Sequence, residues 1–461
     1  MSATHDAIVI GTGQAGPSLA ARLQAAGQRV AVVERHQVGG TCVNVGCTPT
    51  KALVASARAA HMARRASEFG VVLEGSVSMD MQRVKERMQG IASASNEGLT
   101  AWLEGLDNVE LVRGHAQFES RNTVRVGDRL LEAEQIFLNV GTRAFVPDLP
   151  GLEEVDYLTN SSMMEIDVLP EHLIVVGGSY IGLEFAQIYR RFGSRVTVVE
   201  RSSRLIGRDD PDVSECVKEI LAGEGVEFRL DAGCIGVGSD GQGVVVQVDC
   251  ESGEREVHGS HLLLAVGRVP NTDSLGLEQA GVAMDSRGYV EVDDQLRTSV
   301  PGIWALGDCN GRGAFTHTSY NDYEIVAANL LDGEERRVTD RILCYGLYID
   351  PPLGRIGMTE REARESRRRV LVGKRPMTQV GRAKERSETQ GFIKILVDGD
   401  SQEILGAAIL GIGGDEVVHV LLDVMYAKAP YTVVSRAVHI HPTVSELLPT
   451  TLQNLKPLAP A

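Results

Sequence analysis

The sequence predicts an α/β fold built on two Rossmann-like dinucleotide-binding domains, with a smaller C-terminal region in which strands and helices mix. Two observations carry this. The segment "AIVIGTGQAGPSLAARLQAAGQRVAVVE", ending at Glu34, reappears as "LIVVGGSYIGLEFAQIYRRFGSRVTVVE", ending at Glu200, with every landmark shifted by 166 residues. Each copy reads as an apolar strand, a glycine turn, an amphipathic helix, a glycine stop and a second strand closed by an acid.

Gly11, Gly16, Gly27 and Glu34 of the first copy correspond to Gly177, Gly182, Gly193 and Glu200 of the second. The glycines let the backbone approach a pyrophosphate at the start of the helix. The acid, 23 residues after the first glycine, is placed to hydrogen-bond a ribose hydroxyl pair. The second copy carries Ser179 where the first has Gly13, so phosphate approach is tighter there. Strand, turn, helix and acid occurring together twice point to two nucleotide sites.

The chain has 461 residues, enough for about three domains on the usual scaling. Its formal charge of -16 disfavours nonspecific binding to nucleic acid or to anionic membranes, and no basic run offsets it. "MSATHDAIVIGTG" does not read as a secretion signal, and no apolar run approaches bilayer length. A cytoplasmic protein acting on small molecules is expected. Seven cysteines, an odd number at low density, argue against a disulfide framework.

The stretch "GGTCVNVGCTPTK" (39–51) nevertheless places Cys42 and Cys47 five positions apart. In a regular α-helix a five-residue step rises about 7.5 Å and turns side chains roughly 140° apart, beyond disulfide reach. The two can pair only across an irregular turn. Gly46 gives that turn its freedom, and Pro49 suits the first turn of a following helix. A zinc site would need further Cys or His at ligand spacing, and His61 is the only nearby candidate, so no metal is expected. Two dinucleotide sites beside a cysteine pair suggest an electron relay from nicotinamide through flavin to a disulfide.

With these residues assembled, the chain resembles the class I pyridine nucleotide-disulfide oxidoreductases, the family of dihydrolipoamide dehydrogenase, glutathione reductase and mercuric reductase. The likeness spans nearly all of the chain. It rests on "GGTCVNVGCTPTK", the paired fingerprints, "GIWALGDCNG" (302–311) and "HPTVSE" (441–446). The resemblance implies FAD on the first fingerprint, with Gly11, Gly13 and Gly16 at the turn, Glu34 at the adenosine ribose and Asp308 at the ribityl chain. Thr41, Ala116, Thr142 and His317 are carried over as further FAD contacts, and Cys309 as structural. Lys51, one helical turn after Cys47, would sit by the flavin ring and pair with Glu184.

The resemblance places NAD(P)H on Gly177 to Gly182 and against "AVGRVPNT" (265–272), which holds Gly267. Tyr180 would cover the flavin face until the nucleotide displaces it. Glu200 favours the ribose diol of NADH, whereas Arg201, with Arg204 or Arg208, suits the phosphate of NADPH. Both readings stand.

Thiol–disulfide exchange needs a proton shuttle near neutral pH, and imidazole is the side chain whose ordinary pKa suits it. His441 fills that need. Glu446, five residues on, can fix its tautomer; His439 is given no role. The family likeness divides the chain into an FAD-binding domain (1–149), an NAD(P)-binding domain (150–272), a return into the FAD-binding domain (273–340) and a C-terminal α+β dimerisation domain (341–461). It implies a homodimer with shared active sites, since the interface domain reaches across a two-fold axis.

Three segments, "GCTPTKALVASARAAHMARRASEFGV", "FTHTSYNDYEIV" and "VGRAKERSETQGF", lean toward the mercuric-reductase-like branch, which includes reductases of reactive-chlorine resistance. Mercuric reductases of that branch carry a C-terminal vicinal cysteine pair and generally lack the His–Glu dyad. Here the last cysteine is Cys344 and the dyad is present. A small oxidant, a disulfide, a quinone or a metal ion other than mercury is therefore as strongly expected an acceptor as mercuric ion. The alternatives are a dihydrolipoamide dehydrogenase component of a 2-oxoacid dehydrogenase complex, or a glutathione-type disulfide reductase.

Overall fold

The structure, a computed structural model, describes residues 2–241, 243–249 and 254–459. The strand Ala7–Ile10 is four consecutive apolar residues, all buried, as a strand covered on both faces requires. It lies at the centre of a five-stranded parallel sheet, flanked by Val30–Glu34 and Val109–Arg113 on one side and by Gln135–Leu138 and Ile303–Ala305 on the other. The helix Gly16–Ala25 follows with Pro17 in its first turn, where the missing N–H is harmless, and it buries Leu19, Ala20 and Leu23.

The second copy repeats this. Strands His172–Val176 and Arg195–Val199 flank the helix Tyr180–Phe192 in a four-stranded parallel sheet completed by Glu227–Arg229 and His261–Leu264. Registers agree as well as elements. Ala7 pairs with Val30, and 166 residues on, Leu173 pairs with Val196. A chain repeat of this kind fixes the same crossover geometry twice.

Two short strands join the nucleotide units. Arg268–Pro270 runs antiparallel to Thr142–Ala144, and Arg268 donates to the Thr142 hydroxyl and carbonyl at 2.8 and 2.7 Å. Within "AVGRVPNT" the chain has thus left its own sheet, which ends at Leu264, and residues 268–270 pair with the first unit.

The C-terminal part is a six-stranded antiparallel sheet running from Cys344–Leu347 to Lys456–Pro457. Leu421, Leu422, Leu448 and Leu452 from its helices pack on Ile393, Ile395 and Ile409. This part is fastened to the second nucleotide unit by buried charge. Lys394, 2% exposed, donates to Asp210 at 2.8 Å, Asp212 at 2.6 Å and Glu360 at 2.9 Å. Arg191 bonds Asp350 at 2.5 Å and Glu224 at 2.7 Å. Among the described residues, Asp210, Asp212 and Glu360 form the one carboxylate cluster with metal-ligand spacing, and an ammonium already fills it. Also among the described residues, no helix is long and apolar enough to cross a membrane.

Candidate active site

A cavity of about 740 Å³ runs along the C-terminal ends of the first parallel sheet, from Glu34 to Cys47 and Lys51, a size usual for small-molecule sites. Its floor is the first fingerprint. Gly11 has φ +102°, and a side chain there would meet the Asn139 carbonyl at 2.3 Å, so only glycine lets the two strand ends lie this close. Gly13 and Thr41 also line the cavity. Gly16 instead faces the core, donating its N–H to Asn139 Oδ1 at 3.0 Å, and so shapes the turn from behind.

Glu34 is buried and held rigidly. Its Oε2 accepts from the Thr12 N–H at 3.0 Å and the Thr12 hydroxyl at 2.5 Å, and its Oε1 accepts from the His36 N–H at 2.8 Å. Ala116, Thr142 and Asp308 line the far wall. Burial raises the Asp308 carboxyl above its ordinary pKa, opposed by the Thr142 hydroxyl, which donates at 3.0 Å, and by Arg268. These residues fit an elongated dinucleotide such as FAD: a phosphate-accommodating glycine turn at a helix start, an acid for a ribose diol, and a second acid midway. His317 is not among them. Its ring stacks on Phe315 at 5.4 Å and its Nε2 meets the Cys344 carbonyl at 2.7 Å, because the helix Thr316–Ala327 turns that position away from the cavity.

Cys42 lies in the short helix Gly40–Asn44, and Cys47 opens the helix Cys47–Arg64. Gly46 makes the turn between them. A side chain there would press on the Thr41 carbonyl at 2.7 Å. The two cysteines are free thiols that share a hydrogen bond. That bond lowers Cys47, against the opposing pull of burial, and the Thr316 hydroxyl at 3.3 Å and Lys51 lower it further, to about 6. Cys42 moves the other way, raised first by the same hydrogen bond and then by burial. Negative charge is therefore drawn toward Cys47 and away from Cys42. Lys51 Nζ bonds Glu184 Oε2 at 2.7 Å and sits 4.4 Å from the centre of the Tyr348 ring. The buried Cys309 thiol, pushed up to about 12 mainly by burial, points at backbone carbonyls away from this chemistry.

The second fingerprint abuts this cavity without being part of it. Tyr180 and Glu184, on the first turns of its helix, line the cavity, whereas Gly177, Gly182, Glu200, Arg201 and Gly267 do not. Gly177 repeats the close approach of Gly11, with φ +114° and the Ala265 carbonyl 2.4 Å from a built side chain. Glu200 Oε2 accepts from the Gly178 N–H at 2.6 Å and Oε1 from the Ser202 N–H at 2.8 Å. Arg201 and Arg208 are exposed and, with Arg204, make no ion pair among the described residues.

His441 Nδ1 meets Glu446 Oε2 at 2.8 Å, which fixes the ring's orientation and leaves Nε2 outward. The His441 side chain is 80% exposed and does not line the cavity of its own chain. Beside it, Val438 and Ile440 are 100% and 81% exposed, apolar surface of the kind that marks an interface. Asn139, Thr316 and Tyr348 also line the cavity, and sequence reasoning did not single them out. Asn139 alone carried a signal, as a polar residue ending the apolar strand "IFL".

The sequence matches the pyridine nucleotide-disulphide oxidoreductase family over residues 5–322 and that family's dimerisation domain over 344–452. It is 35% identical over 460 residues to the probable pyridine nucleotide-disulfide oxidoreductase RclA of Escherichia coli (strain K12), covering 96% of this chain and 98% of that protein. It is 33% identical over 457 residues to a mercuric reductase of Streptomyces lividans, covering 97% of this chain and 96% of that protein. Among solved structures, the Cu(II) complex of the HOCl-induced flavoprotein disulfide reductase RclA from Escherichia coli superposes with a TM-score of 0.90 at 33% identity, covering 98% of this chain and 99% of that one.

Proposed function

Since this chain belongs to the pyridine nucleotide-disulphide oxidoreductase family, we propose that its cysteine pair delivers electrons to a small thiol-reactive oxidant, either a disulfide or a thiophilic ion such as Cu(II). The chain is an FAD-dependent NAD(P)H oxidoreductase of the disulfide-reductase type, akin to mercuric reductase. Neither the 2-oxoacid dehydrogenase component nor the glutathione-type reductase is favoured by these likenesses. The observation that carries the acceptor class is the cysteine pair itself, set in the cavity wall with Lys51 lining the same cavity and the Thr316 hydroxyl 3.3 Å from Cys47 Sγ.

Bound in the cavity, FAD supplies the link between hydride from the nicotinamide and an electron pair for the Cys42–Cys47 disulfide. The protein does the rest. Cys42, Thr316 and Lys51 hold negative charge on Cys47. Cys42 is assigned as the exchange thiol: an imidazole takes its proton, the resulting thiolate attacks the acceptor disulfide, a mixed disulfide forms, and the departing thiolate receives that proton back from the imidazolium. Cys47 then attacks Cys42, the protein disulfide closes, and the second thiol leaves. With Cu(II), the same two electrons reduce two ions to Cu(I) while the pair closes.

The imidazole is His441, oriented by Glu446 and contributed by a second copy of the chain. Its exposure, its absence from the cavity of its own chain and the apolar surface beside it support a homodimer with shared sites. The low cysteine density supports a cytoplasmic location.

Chain mixing tests this reading. Cys42→Ser and His441→Gln chains, each nearly inactive alone, are mixed and assayed anaerobically for NAD(P)H consumption with small disulfides and with Cu(II). Heterodimers should regain disulfide turnover up to about half of wild type, since one site per dimer is whole. Confirmed subunit exchange without recovered activity sinks the shared site. Wild-type enzyme inert to both acceptors sinks the acceptor class.

A further inference from the structure

Tyr180 stands between the two nucleotide sites, and its hydroxyl is tied down. It donates to Asp209 Oδ2 at 2.9 Å, while the Tyr345 hydroxyl donates to Asp209 Oδ1 at 3.0 Å. Asp209 is buried, and Arg355 Nε, 3.7 Å away and without a hydrogen-bond partner among the described residues, supplies a counter-charge but no hydrogen bond. The rings form a corner: Phe315 and Tyr345 stack at 5.5 Å and 6°, and Tyr180 meets both edge-on, at 6.4 and 5.5 Å.

Of the two partners in the Tyr180–Asp209 bond, Asp209 is the one held in place. The Asp209 N–H donates to the Ile206 carbonyl at 2.8 Å, and the Ile206 N–H donates to the Gly178 carbonyl at 2.9 Å. The next residue, Asp210, is pinned by Lys394 at 2.8 Å and by the Glu360 N–H at 2.9 Å. The acceptor is therefore fixed to the frame. Tyr180, half-buried, can swing about its own side-chain bonds toward the cavity it lines.

We propose that Asp209 is a latch for Tyr180, holding the ring across the passage from the second fingerprint to the cysteine cavity, so that a nicotinamide advances only when this hydrogen bond breaks. The adenosine end docks without breaking it. Asp209 is thus a positioning residue that sets how readily the nicotinamide half, and only that half, is admitted. The inference rests on the reading that NAD(P)H docks on the second fingerprint and reaches the cavity past Tyr180.

Calorimetric titration of the FAD holoenzyme tests both layers, with NAD⁺ and NADP⁺ as probes and ADP-ribose, which lacks the nicotinamide, as the control. Tyr180→Phe removes the latching hydroxyl and should tighten binding of the whole nucleotide about tenfold, the size of one hydrogen bond to a charged acceptor. Asp209→Asn, which can still accept one weaker bond, should tighten it about threefold. ADP-ribose affinity should stay within about twofold in both variants. In the Tyr180→Phe background, Asp209→Asn should add nothing, because the group it acts through is gone. The latch is overturned if Tyr180→Phe leaves NAD⁺ and NADP⁺ binding unchanged, if Asp209→Asn moves ADP-ribose equally, or if its effect persists without the Tyr180 hydroxyl. Tyr180→Ala separates the layers: if truncating the ring also leaves nucleotide affinity unchanged, the passage past Tyr180 is the reading that fails.

Discussion

The two fingerprints grip their acids alike and yet sit in different surroundings. Glu34 and Glu200 each accept from the N–H of the residue after the first glycine and from the N–H two residues beyond the acid. A side chain built on Gly11 or on Gly177 would meet the carbonyl at a neighbouring strand end at 2.3 or 2.4 Å, an almost identical clash. Around the first, Thr12, Glu34 and Asn139 are buried and the cavity continues deep beneath the cysteines. Around the second, Ser179 and Arg201 are exposed and Glu200 is half-buried. One strand–turn–helix is thus set under two different coverings, and the low dielectric of the covered copy makes each of its hydrogen bonds count for more.

The sharpest way to break that contrast is to neutralise the two acids. Glu34→Gln leaves a buried amide facing the Thr12 N–H and should weaken FAD retention by about 10–100-fold, seen as colourless protein after gel filtration. Glu200→Gln, in a wetter setting, should purify with full FAD and raise only KM for NAD(P)H, by about threefold. Equal loss of flavin from both variants would erase the distinction.

A smaller effect separates the sites by pH. Cys47 is lowered to about 6, so its thiolate is present above that pH and is protonated as the pH falls through it. Long-wavelength absorbance of the two-electron-reduced holoenzyme should therefore halve near pH 6, and Cys47→Ser should remove it. ADP-ribose affinity should stay flat over the same window. A midpoint near the ordinary thiol value would show that Cys42, Thr316 and Lys51 do not act on Cys47 as their positions imply.

The smallest change restores the pattern of the first copy in the second. Ser179→Gly lets the backbone approach a phosphate more closely and should lower KM for NAD(P)H about twofold, without altering flavin content. An increase in KM would mean that the serine hydroxyl itself contributes to binding.

Much of this was legible in the chain because it is local. Each copy of the repeat with its acid, Glu34 or Glu200, the irregular turn at Gly46 and the pairing of His441 with Glu446 lie within a few dozen residues, where strand, turn and helix geometry fixes who meets whom. The Lys51–Glu184 pair spans 133 residues and was reached through family likeness, which the 2.7 Å contact supports. Thr316 against Cys47, 269 residues apart, and Tyr345 against Asp209, 136 apart, had no such guide. Neither threonine nor tyrosine stands out by type, and only the packing of whole domains brings them to their partners. His317 shows the converse: it does not line the cavity that its neighbour Thr316 lines, because adjacent positions on a helix face different ways.

Lys394 and Arg191 have a bearing on how turnover is organised in space. A two-lobed enzyme can move reducing equivalents by swinging one lobe against another. Here the lobe that carries the second fingerprint is bolted to the C-terminal sheet by an ammonium among three carboxylates and by a guanidinium between two more. Pulling a buried ion from its partner costs about 3–5 kcal/mol, and a pivot would have to separate several at once. These contacts oppose any pivot between the second nucleotide unit and the C-terminal sheet. The traffic then falls to ligands and to single side chains moving between stations.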